Sequence, residues 1–241
     1  MNLLTAALLA AAQPSVAITT VPDTAKPAPA QSNAAKCADV VTASALICRA
    51  LEAQAAGRPA DSAQAFEQAA LASPPGDAGT ARMWAAAGNM WLASNQSAKA
   101  AAALDKALSS AALTSHQRGE ALLDRARAAE AVGDLKTART RTDDAAKLVP
   151  EDPFLWYFSA ALAVREGDGT RAESAIGQAL KLAPNDAVIL FEAGHVARFT
   201  GDVVGARDYW TRAAAADSRG SVGKAAREAL NLLPAPLTVR N

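Results

Sequence analysis

A step of 34 residues runs through the second half of the chain. Gly133-Asp134, Gly167-Asp168 and Gly201-Asp202 keep it, as do Ala138, Ala172 and Ala206, and Ala145, Ala179 and Ala213. Pro150 and Pro184 follow at the same spacing, with Ser218 at the next step. A fixed period of a few tens of residues is the mark of stacked supersecondary units. None of them can bury its apolar face alone, and each borrows its core from its neighbours.

Each unit reads as helix, turn, helix. In residues 153–184 the stretch FLWYFSAALAVRE is apolar at helical spacing and free of Gly and Pro. Gly167 offers a left-handed C-cap, and Asp168 and Thr170 offer side-chain oxygens to start the next helix. The following TRAESAIGQALKLA places Ala172, Ile176, Ala179 and Leu180 on one face. Lys181 lies in its last turn, where the helix dipole favours a cation, and Pro184 stops it. Small residues at the contact points let two helices approach closely while a bulky neighbour fills the remaining space.

These residues resemble the tetratricopeptide repeat family. Residues 153–186 carry Trp156, Ala160, Gly167, Ala172, Ile176, Ala179 and Pro184. Residues 187–220 carry Leu190, Ala193-Gly194, Gly201, Ala206, Trp210 and Ala213. Residues 119–152 carry Leu122, Ala126, Gly133, Ala138, Ala145 and Pro150, with Thr142 where a bulky residue is usual. A unit from Ala81 fits through Trp84, Ala87-Gly88, Trp91, Ala100, Leu104 and Ala107, with Asn95 replacing the turn Gly and Ala112 the closing Pro. A unit from Ala43 fits through Leu46, Ala50, Gly57, Phe66, Ala69 and Pro74, with Arg49 and Ser62 off the pattern. Four extra residues separate each of these first two units from its successor. The resemblance implies an all-α, right-handed superhelical solenoid of antiparallel helix pairs over residues 37–220. Its repeats fall at about 43–76, 81–114, 119–152, 153–186 and 187–220. Residues 221–233 read as an amphipathic capping helix over the open end, and 234–241 as a tail.

The first 36 residues differ in kind. Residues 3–12 are apolar, Gln13-Pro14 breaks the run, and Ser15, Val16 and Ala17 resemble a small-x-small cleavage site. Residues 1–17 therefore read as a signal peptide and the chain as periplasmic or secreted, although no Lys or Arg precedes the apolar run. The alternative is a cytoplasmic protein with an apolar N-terminus. Residues 18–36, rich in Pro, Ala, Thr and Ser, read as a disordered linker. Cys37 and Cys48 are the only cysteines, eleven residues apart. On one straight helix they would stand roughly 16 Å apart, beyond the reach of about 7 Å that a disulfide needs. A bridge requires the Cys37 segment to leave the helix and fold back; otherwise the two remain thiols. Two cysteines without a nearby His give little support for a metal site.

The search for chemistry narrows the function. The 24 basic residues balance 24 acidic ones, so no basic excess points to nucleic acid. No apolar run reaches bilayer length, so no transmembrane anchor is expected. There is no Gly-rich phosphate loop with its Lys, no His-Glu-x-x-His and no Gly-x-Ser-x-Gly, and of the two histidines His116 reads as a solvated helix-end residue. The expectation is a protein without catalysis, metal or cofactor.

The resemblance instead implies a peptide or protein partner in a concave groove lined by first helices. It carries over to Asn89, Arg127, Phe154, Tyr157, Arg165, Phe191, His195, Arg198 and Phe199, where aromatics alternate with basic groups. Aromatic and Arg side chains are the usual anchors of interfaces. The carboxylate clamp of chaperone-binding relatives is incomplete here, with Ala85 and Leu123 at two of its positions. Three readings stand at this level. The leading one is an exported interaction scaffold. A structural or oligomeric assembly subunit using its outer or end faces is the second, and a cytoplasmic adaptor the third. An enzyme using His195 is a weaker fourth.

Overall fold

The computed structural model describes residues 37–233, which form eleven helices and no strand. Five antiparallel pairs follow one another. They are α1 Ala43–Ala55 with α2 Pro59–Ala72, α3 Gly79–Ala93 with α4 Ser97–Leu108, and α5 Ser115–Ala131 with α6 Leu135–Ala146. Then come α7 Pro153–Glu166 with α8 Gly169–Leu182, and α9 Ala187–Thr200 with α10 Val203–Ala216. An eleventh helix, α11 Ser221–Asn231, packs on α10 and α9 and covers the last pair. The signal-peptide, linker and tail expectations for residues 1–36 and 234–241 lie outside the described residues.

One backbone bond turns every pair. Between the two helices the amide of Arg58, Gln96, Asp134, Asp168 and Asp202 donates to the carbonyl of Ala53, Trp91, Ala129, Ala163 and Ala197, at 2.8–2.9 Å. The residue just before each donor is left-handed: Gly57, Asn95, Gly133, Gly167 and Gly201, with φ between 58° and 91°. This closure satisfies the last carbonyls of the first helix, and it requires a residue that tolerates positive φ. Asn95 meets the requirement because Asn is among the few other side chains that do. The aspartates then start the second helices. Asp134, Asp168 and Asp202 accept from the amides of Thr137, Arg171 and Gly205 at 3.0, 3.0 and 2.8 Å.

The small residues of the pattern are the contact points. Ala100, Ala107, Ala126, Ala138, Ala145, Ala160, Ala172, Ala179, Ala206 and Ala213 have no exposed surface. Bulky partners Leu104, Ile176 and Trp210 fill the space beside them. Where Thr142 replaces a bulky residue, its hydroxyl donates to the Ala138 carbonyl at 2.8 Å, so the polar atom is buried without being orphaned. Gly194 permits an unusually close approach, because a Cβ there would overlap the Trp210 indole.

Polar side chains tie the pairs to one another. Arg139 of α6 donates to the Ser159 hydroxyl at 2.9 Å and pairs with Glu166 at 2.7 Å, both on α7. Arg125 of α5 pairs with Asp105 of α4 at 2.8 Å. At the leading end Cys37 and Cys48 are joined as a disulfide with their Cα atoms 5.7 Å apart, and Cys37 lies outside α1. Arg49, off the repeat pattern, donates to the Val40 carbonyl and holds the same leading segment.

Curvature follows from which helices touch. First helix α3 packs on first helix α5, and α7 on α9, whereas the second helices make no comparable contact with one another. The first helices therefore form the inner side and the second helices splay outward, which gives the stack its concave face.

Candidate partner-binding groove

The inner face divides into two stretches of different character. Over α3, α5 and α7 several of its polar groups pair with one another. The Asn89 amide donates to one oxygen of Asp124 at 2.8 Å, and Arg127 donates to the other at 2.9 Å. Burial raises the Asp124 carboxyl above its ordinary range, while Arg127 and then Asn89 pull it back. The Arg127 guanidinium also stands 5.4 Å over the Phe154 ring, and that ring meets Tyr157 at 5.4 Å, tilted by 32°. Arg165 pairs with Glu130 of the preceding first helix.

Over α9 the character changes. Phe191 meets His195 edge-on at 4.5 Å, and His195 meets Trp210 edge-on at 5.2 Å. Trp210 donates its indole N–H to the Phe191 carbonyl at 3.0 Å, so the ring stack is anchored to the backbone of α9. Burial, with a smaller contribution from Arg198, holds the His195 imidazole down at about 4, so it is neutral near pH 7. Arg198 and Phe199 follow in the open, Phe199 with 44% of its surface exposed. Burial alone pushes the Glu192 carboxyl up to about 7.

The structure thus brings together two subsets of the nine groove positions. Asn89, Arg127, Phe154 and Tyr157 join a connected chain of contacts through Asp124, and Arg165 pairs separately with Glu130. Phe191 and His195 join a ring stack with Trp210, beside the exposed Arg198 and Phe199. Asp124 and Glu192 were not among the positions carried over from the family, whereas Glu130 stands at a groove position and Trp210 at a pattern position of the repeat. A signal for both was present, because Asp124 and Glu192 stand two repeat lengths apart in the same register.

Other chemistry is limited. Cys37, Cys48 and Glu52 lie together, but the two sulfurs are bonded to each other and offer no thiolate ligands. No helix among the described residues is long and apolar enough to cross a membrane.

No protein-family profile and no curated protein sequence matches the chain. Solved structures do. PilW, a type IV pilus biogenesis factor, superposes with a TM-score of 0.65 at 18% identity, over 76% of this chain and 81% of that one. A tetratricopeptide repeat protein from Parabacteroides merdae gives 0.63 at 14% identity, over 79% and 73%. YrrB, described as a TPR protein with an unusual peptide-binding site, gives 0.56 at 16% identity, over 77% and 92%. The repeat register, the five identical turns and these superpositions agree: the fold is that of a tetratricopeptide repeat solenoid.

Proposed function

We propose that the chain is a protein–protein interaction scaffold that holds an extended segment of a partner along its inner face, chiefly over α7 and α9. The observation that carries this reading is the contrast along that face. Asn89 of α3 and Asp124, Arg127 and Glu130 of α5 are already paired within the chain. By contrast, α9 presents exposed Arg198 and Phe199 beside an anchored ring stack. Aromatic and guanidinium groups held on rigid helices suit peptide capture, since little side-chain freedom is lost on binding. The peptide-binding site named for YrrB is a property of that protein and supports the reading by analogy of fold.

Export is part of the proposal. It is supported by the apolar run at residues 3–12 and by the Cys37–Cys48 disulfide, which is at home in an oxidising compartment. Intact mass of the mature chain checks it. A chain beginning at Ile18 and lighter by two hydrogens is expected, and a full-length reduced chain would refute export.

The groove is tested by Tyr157→Ala combined with Arg198→Ala. Affinity capture from envelope fractions should weaken roughly tenfold or more, as for interface anchors generally, while the helical circular dichroism stays unchanged. Undiminished capture would move the interface elsewhere on the molecule.

A further inference from the structure

The inner face contains one acidic position twice, and the chain supplies partners for only one of the two. Asp124 on α5 and Glu192 on α9 occupy the same register, two repeats apart. Asp124 accepts from Asn89 on the preceding first helix and from Arg127 one turn along its own helix. In the last repeat the position that corresponds to Asn89 is Ala161 on α7, and the position that corresponds to Arg127 is His195. Ala161 has nothing to donate. The His195 ring is committed edge-on to Phe191 and Trp210. Among the described residues no donor and no cation pairs with Glu192, although its side chain is largely withdrawn from water. Arg198, exposed on the same helix, makes no ion pair with Glu192.

We infer that Glu192, at the position where Ala161 replaces the Asn donor of the earlier repeat, is a subsite for a Lys or Arg side chain of the bound partner segment. A desolvated carboxylate gains most from a charged donor, because a charge-assisted hydrogen bond offsets the cost of keeping it ionised and a neutral donor does so only in part. The inference rests on the proposed peptide-binding role and adds the chemistry of the ligand to it.

The test uses a library of random decapeptides selected on the full-length protein. Wild type should enrich peptides with Lys or Arg. Against a selected peptide, Glu192→Gln should bind roughly tenfold more weakly, and the Lys or Arg preference should disappear. A second variant, Ala161→Asn, restores inside the chain the donor that Asn89 gives to Asp124, and should abolish the preference while leaving Glu192 in place. Peptides retained without a cationic preference, or with one that survives both substitutions, would overturn the subsite and leave the groove standing. A library from which nothing is retained, by wild type or by the Lys26→Gln, Lys36→Gln variant, would overturn the groove as well. Enrichment appearing only after Lys26→Gln and Lys36→Gln would mean that the chain's own lysines fill the subsite, and would overturn a partner in trans.

Discussion

Glu192 and His195 lie one turn apart on α9, and burial moves their proton affinities in opposite directions. The Glu192 carboxyl rises from 4.5 to about 7, so the folded state holds that proton more tightly than the unfolded one. Its contribution to stability is intact below pH 4.5 and is lost as the pH climbs towards 7. The His195 imidazole falls from 6.5 to about 4, so its contribution is intact above 6.5 and is lost as the pH drops towards 4. Between about 4.5 and 6.5 the two slopes oppose each other and the contributions of this pair should nearly cancel. Glu192→Gln removes one slope. Chemical denaturation of that variant should then show stability falling on acidification from pH 6.5, by about 2 kcal/mol once solvent screening is allowed for. His195→Gln should show the reverse, with stability falling as the pH rises from 4.5. Parallel pH profiles for wild type and both variants would mean that neither side chain is desolvated in solution.

At the scale of the element, the turn is the unit that sequence exposes best. Only a residue that accepts positive φ can close the shared backbone bond, and four of the five turns use Gly. Gly201→Ala should therefore cost about 1 kcal/mol of stability, and Asn95→Gly should be neutral or slightly stabilising. Thermal melts of the two variants check the pair. An unchanged melting temperature for Gly201→Ala would mean that the left-handed turn is not required there. The same logic explains what could be read beforehand. Gly133, Gly167 and Gly201 with their following aspartates announce themselves by chemistry and spacing, and so do the alanines whose small size each helix contact demands. The groove was less legible. That Asn89, Arg127 and Arg165 would pair with Asp124 and Glu130 depends on side chains meeting across neighbouring first helices. A repeat register alone does not specify such meetings. Asp124 and Glu192 repeat in sequence, but the difference between them lies in Asn89 against Ala161, a contrast that acquires meaning only once α3 and α5, and α7 and α9, are seen side by side.

For the whole molecule, each pair of helices is stabilised mainly by its neighbours, so the two ends of the stack are its weak points. The trailing end is covered by α11, whose entry is fixed by Asp217 accepting from the amides of Val222 and Gly223 at 3.0 and 3.2 Å. The leading end has no covering helix among the described residues. There the disulfide and the Arg49–Val40 hydrogen bond hold the segment before α1 against that helix. Closing a loop of this length is worth about 3 kcal/mol in chain entropy. The benefit should be local, because α1 reaches the rest of the array chiefly through α2, and α2 through α3. Reducing the disulfide should therefore increase amide exchange in α1 and α2, by up to roughly a hundredfold. It should alter α3 and α4 much less and leave α7 to α10 unchanged, since Arg139 and its partners on α7 lie far along the stack. Hydrogen exchange of the oxidised and reduced protein, resolved by helix, measures this gradient. Equal loss of protection in all five pairs would show instead that the array opens as one cooperative body. The leading bridge would then set the stability of the partner-binding end as well as its own.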